Sequence, residues 1–483
     1  MRIKAFKLHN IGRFESLEAT FAQRDESTSS IVVFIGNNGA GKTSILQALS
    51  SSLDFFVQKL KSEEGSDGKI KDFDIRNSAK SACITLHVED QEFSESPKTL
   101  FTWTRTGARA GMYSKERPQS ADVTQLAALY RRALTEQENV NLPLIAYYPV
   151  ERSVNQTPLK PRIASPSPQF EGYEGLSEDS IHFSRFFEWF RDREDHENEL
   201  KASLPPDQKK LLDALIATES LDWSHDGDIE FEKLIIEFKH QADALKKTLT
   251  SSVQHMDPSI ATAKDPQLNA VRQAIRNFMP GFSKLRVQRK PHLQLLIEKE
   301  GQTLDILQLS QGEKTLMALV GDIARRLAML NPALDDPLEG TGIILIDEVD
   351  MHLHPKWQRN IIHQLTRTFP NCQFILTTHS PLVISDMKDT LVFALDDGEL
   401  TRVASQYGQD ANSVLLDVME TPIRNTDIDS QLNDLLDAIQ DRKLEEARTL
   451  IQLLEQDLPI SNFELAKAKL MLRKQELRIE KNS

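Results

Sequence analysis

The chain has 483 residues, 39% hydrophobic and 27% charged, enough apolar material for one large domain with an insertion or for two to three smaller ones. A net charge of −14 excludes holding nucleic acid through a global positive field and leaves a local basic patch or another subunit for any such contact. No run approaches the roughly 18 apolar residues of a membrane helix, the opening Met1–Phe6 carries no secretion signal, and Cys83 and Cys372 form no zinc or disulfide spacing, so a cytoplasmic protein with no membrane partner is expected.

Ile3, Phe6 and Leu8 alternate with polar neighbours, Asn10-Ile11-Gly12 reads as a turn, and Leu17 to Phe21 is apolar again, which predicts two short antiparallel strands. Beyond the polar Ser27–Ser30, the unbroken run Ile31-Val32-Val33-Phe34-Ile35 predicts a strand buried on both faces. A Gly-rich turn and a helix from Ser44 to about Leu60 follow it. Ser62 to Lys71 reads as a loop, and Cys83–Val88, Leu100–Thr104 and Leu142–Tyr148 read as strands. Pro158 to Gly175 reads as an irregular connection. Ser184 to Asn277 is charged and helical in pattern, broken near Pro205-Pro206 and Pro258, and reads as a helical insertion on the head. Strand character returns at Leu285–Ile297, helix at Gly312–Met329, and strands at Ile343–Ile346, Phe374–Thr378 and Leu391–Leu395. After Asp410 the pattern is helical, with apolar stripes through Leu432, Leu435, Leu436 and Ile439, then Ala447, Leu450, Ile451 and Leu454. Such a stripe either docks a partner or packs on its own domain. The expected layout is a head lobe at 1–180, the helical insertion at 181–280, the rest of the head at 281–405 and a helical extension at 406–483.

Gly36-Asn37-Asn38-Gly39-Ala40-Gly41-Lys42-Thr43, with Ser44 next, matches G-x-x-x-x-G-K-S/T between a strand and a helix. Its glycines let successive backbone N–H groups turn inward towards phosphate oxygens, and the helix N-terminus adds partial positive charge. Lys42 is expected to reach the β- and γ-phosphates of ATP, and Thr43 to ligate Mg²⁺. Ile343–Ile346 runs into Asp347-Glu348, which puts one carboxylate at a strand tip for Mg²⁺ and a second beside it to polarise the attacking water.

Leu309-Ser310-Gln311-Gly312-Glu313-Lys314 closely resembles the signature motif of ABC ATPases, while Ser310 and Glu313 also read as a capping box. The resemblance implies an α/β fold, an ABC ATPase head of the P-loop NTPase type with a mixed sheet flanked by helices. It also implies self-association, a homodimer at minimum with room for a higher assembly, in which Ser310, Gln311, Gly312 and Glu313 face the γ-phosphate held by the other subunit. It further implies that His379, in Thr377-Thr378-His379-Ser380-Pro381, contacts the γ-phosphate. Asn10 and Arg13 stand where the family's first strand approaches nucleotide, equally consistent with a plain turn. Gln156 is the one candidate for the Q-loop glutamine. His352 and His354, in Val349-Asp350-Met351-His352-Leu353-His354-Pro355, read as part of a D-loop rather than a metal pair, since this ending resembles the RecF, SMC and OLD-type ATPases.

The insertion is too short for an SMC coiled coil, no Cys-x-x-Cys forms a zinc hook, and Asp427 and Asp429 sit in an acidic helix cap rather than a nuclease site. The chain resembles the PtuA ATPases of Septu anti-phage systems, some attached to retrons. The resemblance implies regulation of a separate HNH endonuclease, PtuB, with DNA or retron nucleic acid reached through the complex. A RecF-like repair ATPase binding DNA directly is the alternative.

Overall fold

The computed structural model describes residues 1–22, 28–65, 70–93, 98–114, 116–137, 139–153, 168–176, 181–182, 184–203, 265–386, 388, 390–419, 421–422, 424–459 and 461–482. Gln156, Pro205-Pro206, Pro258 and most of the expected insertion lie outside them. The chain divides into two compact units, Met1–Gly408 and Gln409–Ser483.

In chain order the first unit contains β1 (Arg2–Ile11), β2 (Phe14–Thr20), β3 (Ile31–Gly36), α1 (Lys42–Lys61), β4 (Ser81–Glu89), β5 (Leu100–Ala108), α2 (Ala121–Glu136) and β6 (Leu144–Tyr148). A two-residue parallel pair, β7 (Arg152–Ser153) and β8 (Ile181–His182), precedes α3 (Ser184–Ser203) and α4 (Pro266–Phe278). Then come β9 (Phe282–Gln288), β10 (Gln294–Lys299), β11 (Gln302–Asp305), α5 (Gln311–Leu330), β12 (Gly342–Ile346), α6 (Pro355–Thr368), β13 (Cys372–Thr377), α7 (Pro381–Ser385), β14 (Leu391–Asp396) and β15 (Glu399–Val403).

The central sheet has the order β15-β14-β3-β13-β12-β6, parallel except for β15. Ile31 to Ile35, Ile343 to Ile346 and Leu144 to Tyr148 are buried throughout, as strands covered on both faces must be. A second, antiparallel sheet has the order β2-β1-β4-β5, and α1 packs against strands of both sheets. The rings of Phe6, Phe21, Phe34 and Phe393 meet in one cluster that ties the two sheets. Gln373, polar within β13, completes the joint: its amide donates to Ile3 O and Ser29 O, each at 2.9 Å, and accepts from Ile3 N at 2.7 Å. A buried amide costs free energy unless it is paired, and all of these bonds are internal.

Two local features depart from the sequence pattern. β1 runs on to Ile11 with Asn10 at φ 55°, a left-handed value that Asn tolerates, so the hairpin turns at Gly12-Arg13. The strand character at Leu285–Ile297 is two strands of a small meander, β11-β10-β9, with Lys290-Pro291 between them.

The second unit contains α8 (Ala411–Asp417), α9 (Thr426–Gln440), α10 (Leu444–Asp457) and α11 (Phe463–Asn482). Leu432, Leu435, Ile439, Ala447, Ile451 and Leu454 from the two apolar stripes pack with Leu465, Ala468 and Leu472 of α11 as one core. The stripes are therefore filled from within and are not a docking face. Leu435 is fully buried there. Leu435→Ala is expected to destabilise this unit by about 2–5 kcal/mol. Protease digestion should cut the variant within Gln409–Ser483 first, with ATP turnover of the first unit retained.

Candidate functional site

Parallel strands place their following loops at one edge of a sheet, the usual location of a ligand crevice in open α/β folds. Here β13 lies between β3 and β12, so the loops after these three strands are neighbours. They are Gly36–Gly41, Asp347–Leu353 and Thr378–Ser380, segments more than 300 residues apart in sequence at their extremes.

Gly36 closes β3 opposite Leu395, at φ 146°, where an added Cβ would lie 2.3 Å from Leu395 O. Gly41 precedes α1 at φ 106°, in the left-handed region, and no side chain caps this end of the helix. Asn37, Asn38 and Gly39 are exposed, Ala40 is buried, and Ser44 approaches Gly12. An uncapped N-terminus entered through a glycine loop leaves backbone N–H groups open to an anion. Arg13 braces the loop from outside, donating to Gly39 O at 2.7 Å and to Asp397 Oδ1 at 3.1 Å.

Lys42 Nζ donates to Gly36 O at 2.8 Å and Asn37 O at 3.2 Å and meets His379 Nε2 at 2.8 Å. An ammonium has three protons and no lone pair. Nε2 is therefore the acceptor, which assigns the imidazole proton to Nδ1. Burial holds the Lys42 ammonium below its ordinary range, against the opposing pull of Glu348, Asp347 and Asp350. Burial, then Lys42 itself, also holds His379 below its ordinary value, with the same carboxylates pulling the other way. Imidazole titration by NMR of the nucleotide-free chain should therefore give His379 a pKa under 6.5. Lys42→Met should raise that value, because it removes a lowering charge. With its folded pKa depressed, the neutral ring's contribution to stability is complete above pH 6.5 and is lost as pH falls through the depressed value.

The buried Asp347 receives Thr43 Oγ1 at 2.6 Å and Thr377 Oγ1 on its other oxygen, while its N–H donates to Tyr148 O at 2.9 Å. Glu348 has φ 45°, and its N–H donates to Thr377 Oγ1 at 2.7 Å. A left-handed, non-glycine residue held in this way is the kind of strain functional sites retain. Asp350 accepts from Thr378 Oγ1 and from His379 N at 3.4 Å. Thr43 and Asp347 together offer hydroxyl and carboxylate oxygens, the hard donor set Mg²⁺ takes alongside water and phosphate.

The N-terminus of α5 carries a complete capping box. Glu313 N donates to Ser310 Oγ at 3.4 Å, and the Glu313 carboxylate accepts from Ser310 N at 3.0 Å and Ser310 Oγ at 2.8 Å. Lys299 Nζ donates to the other Glu313 oxygen at 2.7 Å. Burial would raise the Glu313 carboxyl, but Lys299 and Ser310 outweigh it and leave it below its usual range. Ser310 and Gln311 are exposed. Gly312 is pressed on the loop after β12, where a Cβ would lie 2.5 Å from His352 O. Among the described residues, Ser310–Glu313 make no hydrogen bond to Gly36–Ser44 of their own chain. His352 has φ 63°, and His354 Nδ1 caps α6 by accepting from Lys356 N at 3.3 Å. Among the described residues no group of three or more His, Cys, Asp or Glu is placed to hold a metal.

Sequence reasoning passed over three contributors. Thr377 joins the Asp347 carboxylate to the Glu348 backbone, and Asp350 fixes the Thr378-His379 turn. Tyr148 holds Asp347 through its carbonyl, and its hydroxyl donates to the buried Asp322 of α5 at 2.9 Å. Asp322 is ion-paired with Arg325 at 2.8 Å and Arg326 at 2.6 Å, and Arg326 continues to Gly172 O and Glu174 O. Burial opposes its ionisation, but the two guanidiniums hold Asp322 well below the carboxylate range. The one sequence signal for this network was Asp322, Arg325 and Arg326 lying on an otherwise apolar helix.

A Gly-rich phosphate loop, a strand-tip carboxylate pair and a strand-tip histidine converging on this sheet, with a box-capped signature helix, define an ABC-class ATPase. Residues 31–385 match the family described as "AAA domain, putative AbiEii toxin, Type IV TA system". The chain is 32% identical to "Retron Vc95 probable ATPase" of Vibrio cholerae serotype O1 biovar El Tor over 87% of this chain and 79% of that one. It is 33% identical to "Retron Ec83 probable ATPase" of Escherichia coli over 83% of this chain and 72% of that one. A 91-residue stretch is 42% identical to "Septu protein PtuA" of Bacillus mycoides (strain KBAB4), covering 19% of this chain and 12% of that one. The chain belongs to this AAA-domain family, is similar to the probable ATPases named for retrons, and hydrolyses ATP. No helix among the described residues is long and apolar enough to cross a membrane.

Proposed function

We propose that the chain is the regulatory ATPase of a cytoplasmic anti-phage defence complex, closing as a homodimer on ATP and controlling a separate HNH endonuclease. The observation that carries the ATP site is the meeting of Lys42 with His379 at 2.8 Å beside Thr43 bonded to Asp347 at 2.6 Å. Gly36 to Ser44 bind the phosphates, Lys42 exchanges its internal acceptors for phosphate oxygens, and Thr43 and Asp347 hold Mg²⁺. The metal, when bound, neutralises charge on the phosphates. Glu348 orients and deprotonates the attacking water, and His379 reads the γ-phosphate. The exposed N-terminus of α5 is free to serve the nucleotide of a second subunit, which supports Ser310, Gln311, Gly312 and Glu313 acting in trans.

The defence assignment is supported by the relatives named for retrons and for Septu. Affinity purification from the native host, with mass determination and an ATPase assay of the recovered assembly, tests it. Recovery of a small HNH protein is expected. Recovery of the ATPase alone, with turnover stimulated by DNA, would overturn it in favour of direct DNA binding.

A further inference from the structure

We propose that α11 carries a docking ridge for an acidic, amphipathic helix of a partner protein. Phe463, Leu470 and Leu477 recur every seven residues and are 78%, 73% and 46% exposed. Seven residues are close to two helical turns, so these side chains form one row along the helix. The opposite face is occupied, with Leu465, Ala468 and Leu472 buried in the core of the unit. The ridge is thus a second apolar surface that the unit's own packing does not use, a feature that marks interaction sites.

Its borders define the partner's charge. At 100° per residue, Lys467 and Lys474 fall on one side of the row and Ala466 and Arg473 on the other, and all four are exposed. The nearby acids on α11 are themselves engaged: Glu464 by Arg424 outside the helix, and Glu476 by Arg448 outside it and by Arg473 within it, which leaves Lys467 and Lys474 as the cations that set the border charge. The local field along the ridge is therefore positive on a chain whose net charge is −14. A second copy of this helix would set like charges against each other. A lipid surface favours a broad apolar face, whereas this row is one side chain wide. A helix with its own apolar row and acidic flanks matches both features, as in helix-in-groove recognition. The proposal goes beyond the assignment above, since chemistry defines the surface whatever the partner's activity.

The test uses the full chain and a fluorescent three-heptad peptide with Leu at a and d and Glu at e and g, beside a twin with Lys at e and g. Vesicles of phosphatidylglycerol and phosphatidylcholine provide the lipid comparison. Wild type is expected to bind the acidic peptide in preference to its twin and to the vesicles. Leu470→Asp should weaken that binding about tenfold or more, as should Phe463→Ser. Together, Lys467→Glu, Arg473→Glu and Lys474→Glu should reverse the preference towards the Lys peptide. ATP turnover should be unchanged throughout, since none of these residues belongs to the nucleotide site. Equal binding of both peptides, unaltered binding by Leu470→Asp, or capture by vesicles alone would overturn the proposal.

Discussion

Glu348→Gln is expected to lower ATP turnover by about 10²–10⁴-fold while leaving ATP affinity within a few-fold of wild type. Glutamine keeps the shape of the side chain but cannot take a proton from water. The backbone of residue 348 is held independently by Thr377, whose hydroxyl accepts its N–H at 2.7 Å, so the loop geometry survives the exchange. Lys42, Thr43 and Asp347 are untouched. An ATP-bound dimer that forms but cannot discharge should accumulate, visible as a doubled mass in analytical ultracentrifugation with ATP and Mg²⁺. Full turnover in single-cycle experiments would remove Glu348 from the mechanism.

The second large effect is expected at Ser310→Arg. The substitution puts a long cation at the mouth of α5, where the helix dipole already favours negative charge. It also removes the cap hydroxyl, a loss of about 1 kcal/mol to the helix. Glu313 keeps Lys299 at 2.7 Å, so the fold should persist with a small drop in melting temperature. ATP should still bind each subunit, because among the described residues Ser310 makes no hydrogen bond to the phosphate loop of its own chain. Dimer formation by Ser310→Arg combined with Glu348→Gln should be abolished, and turnover of the single variant should fall by about 10²-fold or more. A normal ATP-dependent dimer would show that this helix end does not meet the second nucleotide.

The strands that carry the site were legible because burial on both faces leaves an unbroken apolar run, as at Ile31–Ile35 and Ile343–Ile346. The glycine loop Gly36–Thr43 and the Asp347-Glu348 pair could be picked out as candidates because each is contiguous in sequence. Strand order was not, since β3 pairs with β13 and β14, both made far later in the chain. Nor were the roles of Thr377 and Asp350, which come from contacts across two adjacent loops rather than from spacing along one. The stripes from Leu432 to Leu454 illustrate a different limit: periodicity shows that a face is covered but not by what. The exposed row on α11 was hidden for a related reason. Its helix alternates two apolar faces with lysines, and the pattern alone does not say which face is filled.

Gln373 has a consequence for how the protein is made. Its hydrogen bond to Ile3 spans 370 positions, and β3 gains both of its neighbours only after β13 and β14 have been translated. At roughly 5–20 residues per second, the phosphate-loop strand waits roughly 20–70 s on the ribosome with both edges unpaired. Its five consecutive apolar residues, Ile31 to Ile35, are exposed to other nascent chains during that interval. Yield of the folded ATPase should therefore depend on chaperones and translation speed more steeply than its native stability would suggest, and a chain terminated before Cys372 should lack a nucleotide site altogether.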